Sequence, residues 1–207
     1  MDDLVGDSKT FAVLKPLYYF KFPALTPVER VLNKSVRQII QEEIDSKFQP
    51  AHWYQSRYSD GTWPVIYSAE SEETALREVL FHLHEFYSEE LKTHSIPVYR
   101  RVATLAIKTE DALDLTKNNR FDLKKLISKD RSGYDYCQKL AKKNREHGAS
   151  LLRAPSARHS GGICIPIFKK EVIQKDTGHL KFLKCVLKDG CSEVTGIVQS
   201  EPAIYQL

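Results

Sequence analysis

Helix-like and strand-like segments follow one another irregularly along these 207 residues, and this order constrains the fold more than any other feature. A short β-prone run at 63–69 leads directly into an amphipathic helix, whereas the last third of the chain is strand-like. A doubly wound sheet would need a regular βαβ alternation, and the sequence has neither GxGxxG nor a P-loop. The sequence therefore predicts an α+β fold, with a mixed β-sheet core flanked by helices.

Length and composition favour a single domain over residues 1–207. Hydrophobic residues make up 42% of the chain, which is enough for one well-filled core. The sequence contains no Gly/Ser-rich or Pro-rich linker that would separate two domains, and it contains no internal repeat.

Apolar residues at helical spacing predict three main helices. The first covers residues 27–44, with Thr26 as its cap. The second begins after Ser71, whose side chain can accept the amide hydrogens of a helix start. The third spans 134–146 and is closed by Gly148. The second helix is expected to bury an apolar stripe formed by Leu76, Val79, Leu80, Leu83 and Phe86.

Short β-prone runs between turn signals predict the strands. These runs are 63–69, 96–99, 103–107, 149–152, 162–168, 180–186 and 193–198. Pro166 lies within one of them, and since proline has no amide hydrogen, this strand is expected at a sheet edge or with a bulge. A short lysine-rich helical region is also expected over 121–127.

The charge balance points to no polyanionic or membrane partner. The formal net charge of +4 is a small excess of 31 basic over 27 acidic residues. The basic run from Lys117 to Arg145 is interpreted as solvated helix faces, because no aromatic residues are interleaved as a nucleic-acid platform requires. Residues 1–7 are acidic and unlike a secretory signal, and no later segment approaches a membrane span. We therefore expect a cytoplasmic protein.

Neither the cysteines nor the histidines suggest a cross-link or a metal site. The four cysteines form no CxxC pair, so reduced thiols are favoured over a disulfide between Cys185 and Cys191. His82 and His84 are two positions apart on a helix and so do not share a face, and no metal is predicted.

Four residues best suit ligand chemistry. Arg57 presents a planar fork of donors that matches phosphate oxygens, and Tyr67 offers a flat face on which a ring can stack. Glu78 lies away from the apolar stripe of its helix and supplies an anion. Ser156, ahead of Gly161-Gly162, can donate a hydrogen bond while the glycines let the backbone approach a ligand.

Each of these residues also has an ordinary structural interpretation. Glu78 would be a solvated carboxylate, and Tyr67 would pack in the core or at an interface. Arg57 would be a surface charge or a loop clamp, and Ser156 would serve turn chemistry. Ser156 is not expected to be an acyl-transfer nucleophile, because its loop leads into a strand and lacks the following helix of a nucleophile elbow.

Four separated segments, 56–61, 64–79, 133–148 and 154–162, resemble the RES-domain family, named for an Arg, a Glu and a Ser. The resemblance is best over residues 53–173. It implies a fold similar to that of the ADP-ribosyltransferase toxins. It carries the family's functional residues onto Arg57, Tyr67, Glu78 and Ser156, with Tyr58 and Arg158 at further recurrent positions.

The resemblance also implies an activity. Members of this family look like toxins that degrade NAD, and cleavage of the nicotinamide–ribose bond creates an oxocarbenium-like centre that an anion stabilises. NAD would be the substrate, with no bound cofactor, and either inorganic phosphate or water would attack. Arg57 and Arg158 would hold phosphate, Tyr67 would stack nicotinamide, Glu78 would stabilise the cation, and Ser156 and Tyr58 would contact the ligand.

The sequence also leads us to expect a protein partner, and it leaves open two functions other than NAD cleavage. The resemblance implies a cognate antitoxin with a helix-turn-helix region, or else export as an effector that acts in a host cytoplasm. One alternative is transfer of ADP-ribose to a macromolecule, because any positioned nucleophile can capture the same cation. The other is a catalytically inactive module that keeps the fold in order to bind a protein.

Overall fold

We describe a computed structural model of the chain over residues 8–13, where the description is of the backbone, and over 35–117, 120–174, 180–196 and 203–206. Its helices are α1 (Val36–Lys47), α2 (Glu72–Phe86), α3 (Leu123–Leu126) and α4 (Tyr134–Glu146). Its strands are β1 (Ser8–Val13), β2 (Gln55–Ser56), β3 (Ser59–Asp60), β4 (Ile66–Ala69), β5 (Ile96–Ile107), β6 (Ala112–Asp114), β7 (Leu151–Pro155), β8 (Ile163–Ile167), β9 (Leu180–Lys188), β10 (Cys191–Gly196) and β11 (Ala203–Gln206).

A nine-stranded sheet forms the centre of the fold, in the order β11-β10-β9-β5-β1-β4-β8-β7-β6. Neighbouring strands run antiparallel, except that β6 and β7 are parallel. Strands β2 and β3 pair in a separate hairpin. The sheet is mixed and helices pack on it, so the predicted α+β architecture is confirmed.

The two faces of the sheet carry different helices. In β5, Val98 belongs to the core cluster that contains Leu80 of α2. Leu105 of the same strand belongs to the cluster that contains Ile44 of α1. Successive side chains of a strand point to opposite faces, and these two positions differ by an odd number, so α2 and α1 cover opposite faces.

Helix α4 shares the sheet face of α2. Its buried residues Cys137 and Ala141 belong to one cluster with Ala154 of β7. Ala154 pairs with Cys164 of β8, and Cys164 pairs with Ala69 of β4, which lies in the cluster of α2. Paired residues point to the same face, so both helices lie on this face with β4 and β8 beneath them.

Helix α2 begins where the sequence predicts. Ser71 Oγ accepts the Thr74 N–H at 3.1 Å, and Glu72 and Glu73 occupy the first turn, where the helix dipole favours carboxylates. Its buried stripe includes Leu76, Val79, Leu80 and Leu83. Phe86 is 49% exposed, so its assignment to the stripe is wrong. The helix ends at this residue, where Tyr87 stacks edge-on against its ring.

The first helix starts later and ends later than the predicted 27–44. Ser35 has an extended backbone with ψ of 152° and caps α1 in a capping box with Gln38. A helix cannot continue through an extended residue, so the prediction of one helix over 27–44 is wrong, and α1 covers Val36–Lys47. The predicted cap Thr26 lies outside the described residues.

Residues 96–107 form one strand where the sequence predicts two. Arg100 and Arg101 interrupt the apolar pattern, but pairing with β9 continues past both of them to Ala103. Arg101 forms an ion pair with Glu43 of α1. A contact from another element thus accommodates the charge, and the sequence alone does not reveal that contact.

Pro166 lies inside the sheet, because β8 is flanked by β4 and β7. The proline is opposite Tyr67 of β4. Pairing with β7 involves Leu151 with Ile167, Ala154 with Cys164 and Pro155 with Ile163. The register is the same before and after the proline, so the predictions of a sheet edge and of a bulge are both wrong.

The other predicted elements are found with shifted ends. The runs at 149–152, 162–168, 180–186 and 193–198 form β7, β8, β9 and β10, with residues 197 and 198 outside the described part. The third helix covers Tyr134–Glu146 as predicted, and Gly148 follows it with φ of +97°.

All four cysteines are free thiols. In the described part of the chain, no helix has the length and apolar character needed to cross a membrane.

Candidate active site

A pocket of about 790 Å³ lies between α2 and α4. Its walls come from β4, β8, both helices and the segment 51–58, which carries β2. Small-molecule sites in proteins typically measure roughly 300–1,000 Å³, so the space suits a small-molecule ligand. The sequence-predicted residues that line it are Arg57, Tyr58, Tyr67, Glu78 and Arg158.

Glu78 is half-buried in this pocket and held at one oxygen. Ser156 Oγ donates to Glu78 Oε1 at 2.6 Å, and Cys164 Sγ donates to the same oxygen at 3.5 Å. Burial, reinforced by the neighbouring carboxylate, raises the pKa of the Cys164 thiol, so this donor stays protonated. Both described donors to Glu78 use Oε1, which leaves Oε2 for a ligand.

Ser156 connects the carboxylate to a tight turn. The residue is 7% exposed, and its Oγ accepts the N–H groups of Arg158 at 3.1 Å and His159 at 3.0 Å. The expected turn chemistry is therefore present, and the hydroxyl hydrogen goes to Glu78. Pro155 and Ala157 line the pocket on either side of Ser156, which acts on it through Glu78.

The two glycines that follow serve this turn. Gly161 has φ of +76°, a conformation that L-residues rarely adopt. A Cβ at Gly162 would lie 2.7 Å from His159 Nδ1 and 2.7 Å from Thr74 Oγ1, which are themselves 2.8 Å apart. Gly162 thus allows His159 to join the turn to the start of α2. A Cβ at Gly161 would meet no atom within 4 Å, so this packing concerns Gly162 alone, and the expectation that the glycines let the backbone approach a ligand stays a prediction.

Tyr67 lines the pocket, and its hydroxyl is fixed by two hydrogen bonds. The hydroxyl donates to Ser56 Oγ at 2.8 Å and accepts the Tyr58 N–H at 2.8 Å. Burial raises the pKa of Tyr67, so the phenol is neutral at physiological pH. The side chain therefore joins β4 to the β2–β3 hairpin in a single orientation, as a stacking platform requires.

Tyr58 borders the pocket but is only 1% exposed. Its ring lies 6.4 Å from that of Tyr67, at a tilt of 36°. Its hydroxyl is buried and has no hydrogen-bond partner among the described residues. Burial raises the pKa of this phenol. Tyr58 thus supports the pocket wall by packing, and little of its surface is open to a ligand.

Arg57 lies at the tip of the hairpin, with much of its donor capacity in use. Its Nη1 donates to the Leu126 carbonyl at 3.0 Å, and its Nη2 donates to the Ser128 carbonyl at 2.7 Å. The guanidinium also lies over the Tyr134 ring, 4.9 Å from its centroid. These contacts fasten the hairpin to the end of α3 and to the segment that follows it.

Arg158 has a different environment. Its guanidinium lies 3.5 Å from the ring centroid of Phe81 on α2. Nε and Nη1 are buried, and within the described part of the chain neither has a hydrogen-bond partner. Burial lowers the pKa of Arg158, while the negative charge of Glu78 opposes this shift. Arg158 thus brings to the pocket wall a positive charge that is influenced by Glu78 but forms no ion pair with the described residues.

The two histidines of α2 point to different partners. His82 Nδ1 lies 3.4 Å from Glu85 Oε2. His84 Nε2 lies 2.7 Å from Ser192 Oγ on β10. Over the described ranges, no group of three or more histidine, cysteine or acidic side chains is arranged to hold a metal ion.

The RES domain model matches residues 28–182, which is more than half of the chain. The chain belongs to the RES-domain family. The family match extends past the expected 53–173 at both ends and includes all six predicted site residues. None of the curated proteins matches the chain.

A solved structure shares the fold of this RES-domain protein. It is a chain in the crystal structure of the M. tuberculosis MbcT–MbcA toxin–antitoxin complex, with a TM-score of 0.51. The likeness covers 89% of this chain and 86% of that chain, at 13% sequence identity. At such low identity the comparison shows a common fold.

Three side chains that support the site are not predicted by the sequence patterns. Cys164 contacts Glu78, and His159 joins the turn to Thr74. Gln138 Nε2 donates to the carbonyls of Ser56 at 2.7 Å and Ser59 at 3.2 Å, so α4 also holds the hairpin. Of the three, only Gln138 could have been found from the sequence pattern. It is a polar residue between Cys137 and Ala141, which are buried on the same helix.

Proposed function

We propose that this RES-domain protein is a toxin that cleaves the nicotinamide–ribose bond of NAD. The observation that carries the proposal is Glu78, a half-buried carboxylate that lines the pocket together with Tyr67 and Arg158 and whose Oε1 accepts the Ser156 hydroxyl. A fixed anion beside an aromatic face suits a reaction that develops positive charge on a ribose. The likeness to a chain of a toxin–antitoxin complex supports the biological role.

In the proposed reaction, the bond between ribose C1″ and the nicotinamide nitrogen breaks, and its electron pair leaves with nicotinamide. Glu78 stabilises the resulting oxocarbenium-like centre, and the ring of Tyr67 stacks against the departing nicotinamide. An oxygen nucleophile then bonds to C1″. Inorganic phosphate would yield ADP-ribose 1″-phosphate, and water, which releases a proton to the solvent as it bonds, would yield ADP-ribose. We further propose that a cognate antitoxin with a helix-turn-helix region silences the toxin.

The test is incubation of the purified protein with NAD, with and without inorganic phosphate, and identification of products by mass spectrometry. Glu78→Gln keeps the shape of the side chain but removes its charge, and we expect nicotinamide release to fall by roughly 10²–10³-fold. Glu89→Gln is the matched control, since that carboxylate is 80% exposed and pairs with Lys92. Thermal unfolding verifies that both variants are folded.

The outcomes separate the alternative functions. Nicotinamide release that depends on Glu78 supports the NAD-cleaving enzyme, and a requirement for phosphate identifies a phosphorylase. ADP-ribose attached to a macromolecule would instead favour a transferase. If folded, antitoxin-free protein releases no nicotinamide, the proposal is wrong and the protein-binding module is favoured.

A further inference from the structure

We propose that Arg158 is the residue that holds the ligand's phosphate in this pocket, whereas Arg57 is a clamp that positions the pocket wall. The inference rests on the proposed function for the choice of ligand, a nucleoside diphosphate. It assigns different roles to two arginines that the sequence alone treats alike.

The contacts of Arg57 are those of a clamp. Its two terminal nitrogens donate to carbonyls of Leu126 and Ser128, and the face of its guanidinium is covered by Tyr134. Hydrogen bonds from a cation to carbonyls are charge-assisted, and a ligand phosphate would have to displace them. Breaking them would release the hairpin tip from the segment that follows α3.

Arg158, unlike Arg57, has a guanidinium that donates no hydrogen bond to the described residues. Arg158 lines the pocket, and the described residues provide no hydrogen bond to its buried Nε and Nη1. Burial of an unpaired charged donor carries a free-energy penalty that a phosphate would remove by supplying acceptors. Phe81 supports the plane of the guanidinium from one side, so its donor edge is presented in a fixed direction.

The neighbouring charges suit an anion at this position. Both Arg57 and Glu78 lie close enough to influence the pKa of Arg158, the first lowering it and the second raising it. A phosphate there would be attracted by both guanidinium groups.

The turn at Ser156 links the phosphate contact to the reacting group. Ser156 Oγ accepts the Arg158 N–H and donates to Glu78. One hydroxyl therefore positions both the residue that would hold phosphate and the residue that would act on the ribose. Phosphate binding and alignment of the carboxylate thus depend on the same short loop.

Isothermal calorimetry with ADP and with nicotinamide as separate probes tests this assignment, because neither probe needs turnover. Arg158→Met retains the apolar stem over Phe81 but removes the donors, and we expect it to weaken ADP binding by roughly tenfold or more. Nicotinamide affinity should not change. Arg158→Lys, which keeps the charge but not the fork, should recover part of the ADP affinity.

Arg57→Met provides the comparison. We expect it to accelerate hydrogen exchange of backbone amides in 122–138, which Arg158→Met should leave protected. The assignment is overturned if wild-type protein does not bind ADP, or if Arg158→Met binds ADP as well as wild type does. It is also overturned if Arg57→Met loses ADP affinity with no change in exchange over 122–138. The product assay with NAD judges the proposed function separately.

Discussion

Ser156 Oγ lies 2.6 Å from Glu78 Oε1, although 78 positions separate the two residues in the chain. The hydroxyl hydrogen can take only one direction, because the oxygen already accepts the N–H groups of Arg158 and His159. The geometry of the turn therefore determines the position of the carboxylate.

Replacing Ser156 with alanine should impair both the chemistry and the fold. The variant removes a hydrogen bond to a charged group and leaves two backbone N–H groups of the turn unpaired, so we expect stability to fall by about 1–3 kcal/mol. We expect kcat for NAD cleavage to fall by roughly 10–100-fold, because the carboxylate loses its orientation. Ser160→Ala, at an exposed position of the same loop, is the control, and an equal loss of kcat there would contradict the assigned role.

The glycine pair should respond unequally to alanine. Gly161→Ala places a methyl group in open space but in a left-handed conformation, so we expect a stability loss of about 1–2 kcal/mol with kcat retained. Gly162→Ala forces the new methyl group against His159 and Thr74, so we expect the turn to shift and kcat to fall as well. Thermal unfolding and steady-state kinetics on both variants measure this difference. Equal kcat values would show that the His159–Thr74 contact does not position Glu78.

The hydroxyl and the ring of Tyr67 should have separable roles. Tyr67→Phe leaves the Tyr58 N–H without its partner, so we expect a stability loss of about 1–3 kcal/mol and little change in KM for NAD. Tyr67→Leu also removes the aromatic face, and we expect KM to rise further. Urea unfolding and KM measurements provide the two readouts. A KM for Tyr67→Leu equal to that of Tyr67→Phe would argue against nicotinamide stacking.

Stability should decline as the pH falls below the ordinary pKa of histidine. Burial lowers the pKa of His84 from 6.5, although the backbone at Cys191 and the charge of Asp189 oppose this shift. The unfolded chain therefore binds a proton at His84 more readily than the folded protein does. The neutral ring contributes its full stability above pH 6.5, and this contribution is lost as the pH falls through the lower pKa of the folded state. Urea midpoints between pH 7.5 and 5 should show a shallower decline for His84→Gln. An identical slope would rule out this histidine as a source of the decline.

Sequence patterns correctly predict those helices whose ends are determined by residues close by in the chain. Helix α4 covers the predicted range because its periodicity and the glycine after it are local signals. Helix α2 likewise starts after its predicted cap, Ser71. The sequence pattern divides strand β5 in two, which is wrong, because the ion-pair partner of Arg101 is Glu43, 58 positions away. Pro166 was misplaced because the strands on either side of it come from distant parts of the chain.

For the candidate site, the sequence identified the residue types but not their contacts. The resemblance selected side chains that lie around one cavity, yet the division of work between Arg57 and Arg158 depends on the carbonyls of Leu126 and Ser128. The role of Cys164 depends on pairing between β4 and β8, which places its thiol under Glu78. Both facts arise from tertiary packing, and neither leaves a periodic signal in the sequence.

Different contacts secure the two sides of the pocket. Glu78 is held by the Ser156 turn, whereas the β2–β3 hairpin is held by Arg57 and Gln138. Substitutions in the β2–β3 hairpin can therefore change which nucleotide or acceptor the pocket prefers, while the position of the Glu78 carboxylate is kept. An architecture of this kind allows related proteins to diverge in what they consume while they inherit a common chemistry.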